Sequence, residues 1–240
     1  MLRYEAHLSS ELTRMMRLLQ AELANVGHHK MNQSLTLNPP VRGQWAIINP
    51  PGHAQLAFDF LAVDDNKSPY KDVSLLRHVT STITVENTLA WDQPVFSVMD
   101  GTVVAASDGA PDRERISMAR DLFRLMLFGP KMVPPFSALG GNYVILKCGD
   151  VYPLYAHLKN GSVCVRPGDI ARNGDLLGKV GNSGSSLQPH LHFQVMNSPE
   201  LFPLFKNLVP FVISAASRRN KKQWEPVVCG ALKNGDHLQL

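Results

Sequence analysis

Gly178-Lys-Val-Gly-Asn-Ser-Gly-Ser-Ser-Leu-Gln-Pro-His190-Leu-His192-Phe-Gln-Val195 reads as the end of a strand, a Gly/Ser loop, a proline and a second strand. The second strand carries histidines at i and i+2. Side chains alternate along a strand, so His190, His192 and Gln194 share one face while Leu191, Phe193 and Val195 share the other. The apolar face belongs against a core. The two histidine Cα atoms stand roughly 6 to 7 Å apart by strand rise, and both rings can reach one point. Such a pair suits a metal ligand beside a proton-transfer group, or else two solvated side chains on an exposed strand. Other residues of the chain have to decide between these.

Two further places carry the right chemistry. His53-Ala-Gln-Leu-Ala-Phe-Asp59 leads into the apolar run Leu56 to Val63, where Asp59 stands between Phe58 and Phe60. A carboxylate there is costly unless it is paired, bound to a cation or capped by backbone amides. Tyr155-Ala-His157-Leu closes another β-type run with a histidine that could equally be a hydrogen-bonded core residue.

The chain has 240 residues, enough for one substantial domain with an appendage, and a formal charge of only +4. Its basic cluster, Arg218-Arg219-Asn220-Lys221-Lys222, is short and reads as a solvated linker. Nucleic-acid binding would ask for a broader basic surface interleaved with aromatics. No apolar run approaches the ~18 to 20 residues of a membrane span, and the start of the chain lacks the charged-then-apolar pattern of a secretion signal. The expectation is a soluble chain, cytoplasmic as written, or in the cell envelope or secreted if it is a mature form. Cys148, Cys164 and Cys229 cannot all pair and show no C-x-x-C spacing, so they are expected as small core residues.

In chain order, Leu8, Leu12, Met15, Leu19, Leu23 and Val26 fall at helical spacing, predicting an amphipathic N-terminal helix closed by Gly27. His28 and His29 follow as exposed residues. Pro39-Pro40 marks entry to the main domain. β-type runs follow at 45–48, 56–63, 94–98, 102–105, 143–147, 152–157 and 191–195, divided by turn pairs such as Asp100-Gly101 and Gly149-Asp150. They describe a mostly β domain of antiparallel hairpins. The stretch 64–92 reads as an insertion. Asp112 to Phe128 has helical periodicity and predicts a helix inserted between strands, either a lid over the site or a packing helix. The glycines and aspartates of Val163 to Val180 are architectural corners. Val227–Leu232 and His237–Leu240, joined around Asn234-Gly235, predict a terminal hairpin.

Taken together, His53 and Asp59, Pro94-Val-Phe-Ser-Val-Met-Asp-Gly101, Gly141-Asn-Tyr-Val-Ile, Tyr155-Ala-His157-Leu, Pro167-Gly-Asp-Ile-Ala-Arg-Asn-Gly-Asp-Leu-Leu-Gly178 and Gly181-Asn-Ser-Gly with Pro189-His190-Leu-His192-Phe resemble, in this order, the lysostaphin-type zinc metalloendopeptidases. The resemblance covers about residues 39 to 213. It implies an antiparallel, barrel-sandwich-hybrid-like peptidase core in a domain at 36–215, between an N-terminal segment at 1–35 and a linker and hairpin at 216–240. It also implies one zinc ion held by His53, Asp59 and His192, with an open position for water, and His157 and His190 as catalytic histidines. Two imidazoles and a carboxylate are the ligand set of a catalytic rather than a structural zinc site. The substrate implied is a peptide bond in peptidoglycan stems or cross-bridges. Five residues separate His53 from Asp59, against three in the common family pattern, and the extra two keep the parity of an extended chain.

Two other functions compete. Relatives of the same fold that have lost metal ligands act as cell-wall-binding regulators of other hydrolases. A lipoyl- or biotin-type carrier is suggested by the paired Gly-Asp turns but has no lysine at the matching turn. A serine-hydrolase reading of Gly181-Asn-Ser183-Gly-Ser185 fails because the Gly-x-Ser-x-Gly elbow is absent, and these serines are expected at the cleft rim.

Overall fold

The computed structural model describes residues 35–49, 54–71, 82–117, 139–201 and 207–240. The helix expected over Leu8–Val26, the histidines His28, His29 and His53, and all but the start of the helix expected over Asp112–Phe128 lie outside these residues. That start is extended rather than helical. Asp112 bridges to Ser183, and Arg115–Ile116 is a strand, so backbone pairing with neighbouring segments overrides the local 3.6-residue periodicity.

The described strands are β1 (Leu35–Leu37), β2 (Gln44–Ile48), β3 (Ala57–Ala62), β4 (Ile83–Thr84), β5 (Pro94–Phe96), β6 (Gly101–Ser107), β7 (Arg115–Ile116) and β8 (Asn142–Lys147). They continue with β9 (Tyr152–Leu158), β10 (Ile170–Ala171), β11 (Leu176–Lys179), β12 (Leu191–Met196), β13 (Phe211–Asn220), β14 (Gln223–Gly230) and β15 (His237–Gln239). Eleven of them form one open sheet in the order β1-β13-β15-β2-β3-β12-β9-β8-β6-β10, with β14 branching from β13. Its pairs are antiparallel except β1 with β13, which run parallel. Two small sheets, β11 with β5 and β4 with β7, lie off it.

The alternation read along β12 is observed. Leu191, Phe193 and Val195 are fully buried, and Phe193 meets Tyr155 at 5.2 Å and Phe211 at 5.3 Å between ring centroids. Phe60 joins them edge-on at 6.2 Å. The buried Tyr155 hydroxyl accepts a hydrogen bond from the Val98 amide at 3.0 Å, satisfying the one polar atom in this aromatic cluster. Strand β3 lies between β2 and β12 and all six of its residues are buried. Asp59 is among them.

Several expectations are corrected. The C-terminal hairpin is β13 with β14, turning at Lys221-Lys222, and the basic stretch expected as a linker runs along β13 into that turn. β15 pairs instead with β13 and β2, and so closes onto the middle of the main sheet. Of the cysteines only Cys148 is buried; Cys164 and Cys229 are exposed, and all three are free. Among the described residues of the stretch 64–92 are β4 and a 3₁₀ turn at Val85–Asn87. Tyr70, Ile83 and Val85 form a separate small core with Ile116 of β7, so the two inserted segments pack against each other here.

Replacing Phe193 by Ala removes the centre of the aromatic cluster and is expected to cost about 3–5 kcal/mol in urea unfolding. Val228→Ala, at a side chain 76 % exposed on β14, is expected to stay within about 0.5 kcal/mol of the parent. Equal losses in the two variants would contradict this placement of the core.

Candidate active site

The register of β3 against β12 sets Asp59 directly opposite His192. Opposed residues share a face, so the carboxylate lies beside the imidazole, with His192 Nδ1 3.0 Å from Asp59 Oδ1. His190, one residue before β12, brings Nε2 to 3.5 Å from the same oxygen. Asp59 is 8 % exposed. Burial alone would raise its pKa, but the charges and hydrogen bonds of His190 and His192 outweigh burial and hold the carboxyl well below the usual range. In the same way burial depresses His190, and the Asp59 charge reverses this and raises it.

His157 reaches this face by a different device. On β9, Ala156 opposes His192, so strict alternation would send the next side chain to the opposite face. The chain instead bulges. Against β8, Ala156 pairs with Tyr143 and Leu158 with Asn142, which leaves His157 without a partner, and its φ of 61° is left-handed. Tyr155 and Leu158 consequently both join the main core although a regular strand would point them to opposite faces. The His157 ring then stands 4.7 Å from His190 and 5.9 Å from His192, centroid to centroid. It is buried, and burial followed by the two neighbouring imidazoles pushes its pKa well below 6.5.

Both rings are oriented by backbone carbonyls. His157 Nδ1–H donates to Ser183 O at 3.0 Å, and His190 Nδ1–H donates to Gln188 O at 2.8 Å. A carbonyl only accepts, so in each neutral ring Nε2 is the basic nitrogen. Ser186 Oγ lies 3.1 Å from His190 Nδ1 and donates to the same Gln188 carbonyl at 2.7 Å.

Sequence reasoning missed the residues that hold these carbonyls. Ser183 is fully buried rather than at the rim; its Oγ donates to Leu158 O at 2.7 Å and accepts the Asn142 amide at 3.0 Å. The Asn142 side chain donates to Leu158 O and Ala110 O and accepts the Ala110 amide. Asp112 accepts the amides of Asn182 and Asn160. Gly141, at φ 63°, lies so close to Ser183 and Gly184 that a Cβ there would collide with both. The signal that was available is Gly141-Asn142 next to Gly181-Asn-Ser-Gly, two small-residue turns able to approach backbone to backbone. Ser185, by contrast, does line the cleft.

Asp59, His157 and His190 open onto a pocket of about 270 Å³ that Ile48, Leu61, Ser185, Leu187 and Gln188 complete. The four polar residues expected from the sequence in the described parts of the chain therefore converge at one place. His53 lies outside the described residues.

Residues 131–202 match the model of peptidase family M23. The match takes in His157, His190, His192 and the Ser183 loop, and agrees at family level with the resemblance read from the motifs. The chain is also similar in structure to a putative peptidase M23 from Pseudomonas aeruginosa, at 18 % identity, covering 78 % of this chain and 57 % of that one with a TM-score of 0.39. The catalytic domain of the antimicrobial peptidase lysostaphin from Staphylococcus simulans is similar at 19 % identity, 66 % and 84 % coverage and a TM-score of 0.36. A zinc-containing peptidase from Vibrio cholerae is similar at 16 % identity, 68 % and 36 % coverage and a TM-score of 0.34. The chain thus spans just over half of the Pseudomonas M23 chain and about a third of the Vibrio one.

One carboxylate oxygen and one imidazole nitrogen of β3 and β12 already meet at 3.0 Å, and these are donor types that zinc accepts. Among the described residues no three His, Cys, Asp or Glu side chains are grouped closely enough to hold a metal ion. Among the same residues no helix is long and apolar enough to cross a membrane.

Left-handed backbone costs a non-glycine residue about 1–2 kcal/mol. His157→Gly is therefore expected to be more stable than His157→Ala by about 1 kcal/mol in urea unfolding, the reverse of the usual order within a strand. His157 also gives a pH dependence. Its folded pKa is depressed, so the unfolded chain binds the extra proton, and stability falls as pH drops below about 6.5. Both variants should lose that component of the slope between about pH 7 and 5.

Proposed function

We propose that this chain is a zinc-dependent endopeptidase that hydrolyses peptide bonds in peptidoglycan stems or cross-bridges. The observation that carries this reading is the convergence of His157, His190 and His192 on the buried Asp59 carboxylate at the floor of an open pocket. Asp59 and His192, with His53, would hold the metal; two imidazoles and one carboxylate leave a fourth position for water. Zinc bound there supplies a water of pKa near ~7 and polarises the scissile carbonyl.

The remaining chemistry belongs to side chains of this chain. His157 and His190 turn Nε2 away from their anchoring carbonyls, as a general base or an oxyanion donor requires. Either ring can serve either task, because a free Nε2 accepts a proton as a base and a protonated Nε2 donates to developing negative charge. Ile48, Leu61 and Leu187 give the substrate apolar contact within the pocket. A peptidoglycan substrate puts the place of action outside the cytoplasm.

Elemental analysis of the purified chain is expected to give close to one zinc per molecule, lost in His192→Ala and Asp59→Ala. Release of new amines from peptidoglycan should stop on chelation and fall about 10²- to 10⁴-fold in His157→Ala and His190→Ala with zinc retained. A chain that takes up no zinc when supplied with it would instead be a metal-free regulator of other hydrolases.

A further inference from the structure

The segment Ser186–Gln188 is separated from His190 by Pro189 alone, and both insertions of this chain reach it. From the stretch 64–92, Tyr70 places its hydroxyl 2.8 Å from Gln188 Oε1. From the insert that opens at Asp112, the Arg113 guanidinium donates through Nη2 to Ser186 O at 3.0 Å and to Leu187 O. The two contacts differ in kind. Arg113 holds backbone and thereby shape, whereas Tyr70 holds the end of a side chain that lines the pocket.

Tyr70 is well buried in the small core with Ile83, Val85 and Ile116, and burial pushes its hydroxyl up to about 12, so it stays protonated and donates. A donor on Oε1 fixes which way round the Gln188 amide sits. Nε2, with its two N–H groups, is then the free end, and among the described residues it meets no acceptor. The Gln188 main chain is already engaged, its carbonyl taking the Ser186 hydroxyl and His190 Nδ1–H. One residue therefore orients His190 through its carbonyl and, in the lining of the pocket, carries an amide whose Nε2 has no acceptor among the described residues.

We propose that Gln188 Nε2 binds a backbone carbonyl of the peptide substrate beside the scissile bond, and that Tyr70 is the positioning residue that aims it. This rests on the endopeptidase reading and names a specificity element within it. The substrate class follows: an extended peptide whose carbonyl next to the cleaved bond is free to accept a hydrogen bond.

Three variants of the full chain test this: Tyr70→Phe, Gln188→Met and Gln188→Glu. Gln188→Glu keeps an acceptor for Tyr70, removes the donor and adds a carboxylate charge, whereas Gln188→Met removes the donor without adding charge. The probe is a set of soluble peptidoglycan fragments released by a muramidase, used in steady-state cleavage by the zinc-loaded protein and in equilibrium binding to the chelator-treated protein. Expected are a KM raised about 10-fold in both Gln188 variants and 3- to 10-fold in Tyr70→Phe, with kcat within about twofold of the parent. Binding to the metal-free protein should weaken in parallel, by factors that correspond to about 0.7–1.4 kcal/mol. A purely structural role predicts the opposite pattern: Gln188→Glu unchanged in KM and binding, with a lowered unfolding midpoint and lowered kcat in Tyr70→Phe and Gln188→Met. That pattern would overturn the proposal while leaving the endopeptidase reading intact. A parent that neither cleaves nor binds the fragments would overturn both.

Discussion

A carboxylate buried in the middle of a β-sheet is the constraint around which this molecule is arranged. Asp59 lies on a strand with no exposed residue, between β2 and β12, where an isolated charge would cost several kcal/mol. Two imidazoles meet it, at 3.0 and 3.5 Å on one oxygen. The charge is thus stabilised because the β3/β12 register sets His192 opposite Asp59 and the loop before β12 delivers His190. A one-residue slip of either strand would bury the carboxylate against Leu191 or Phe193 and turn the histidine to the other face.

The third imidazole required a break in regularity. His157 occupies a bulge with left-handed backbone, and the cost is met by a buried polar network in which Asn142 and Ser183 tie together Ala110, Leu158 and the His157 ring. Gly141 and Gly184 let the two backbones come close enough for that network to close. Strain at His157 and the hydrogen bonds of Asn142 and Ser183 around it are two halves of one arrangement.

Much of this was legible in the sequence where period-2 patterning carries the information. Leu191, Phe193 and Val195 opposite His192 and Gln194 could be read directly, and so could the anomaly of Asp59 between Phe58 and Phe60. The face of His157 could not, because a bulge leaves no mark on hydrophobic alternation; its importance came from resemblance. The hairpin at Lys221-Lys222 was hidden by the stronger turn signal at Asn234-Gly235. There Gly235 does take a φ of 87°, but it leads β15 into the main sheet rather than back along β14. The start of the expected helix at Asp112 failed because its side chain and backbone serve the Gly181–Ser183 turn instead. Tyr70 and Gln188 meet across 118 residues, a distance at which local patterning says nothing.

The central claim is that Asp59 and His192 are metal donors rather than only an ion pair. Anomalous scattering at the zinc edge from crystals grown with zinc tests it most directly. The account predicts one peak within about 2.0–2.2 Å of an Asp59 oxygen and a His192 nitrogen, with His53 as third protein ligand. A direct Asp59–His192 hydrogen bond that persists in the zinc-grown crystals, with zinc elsewhere or absent, would contradict it.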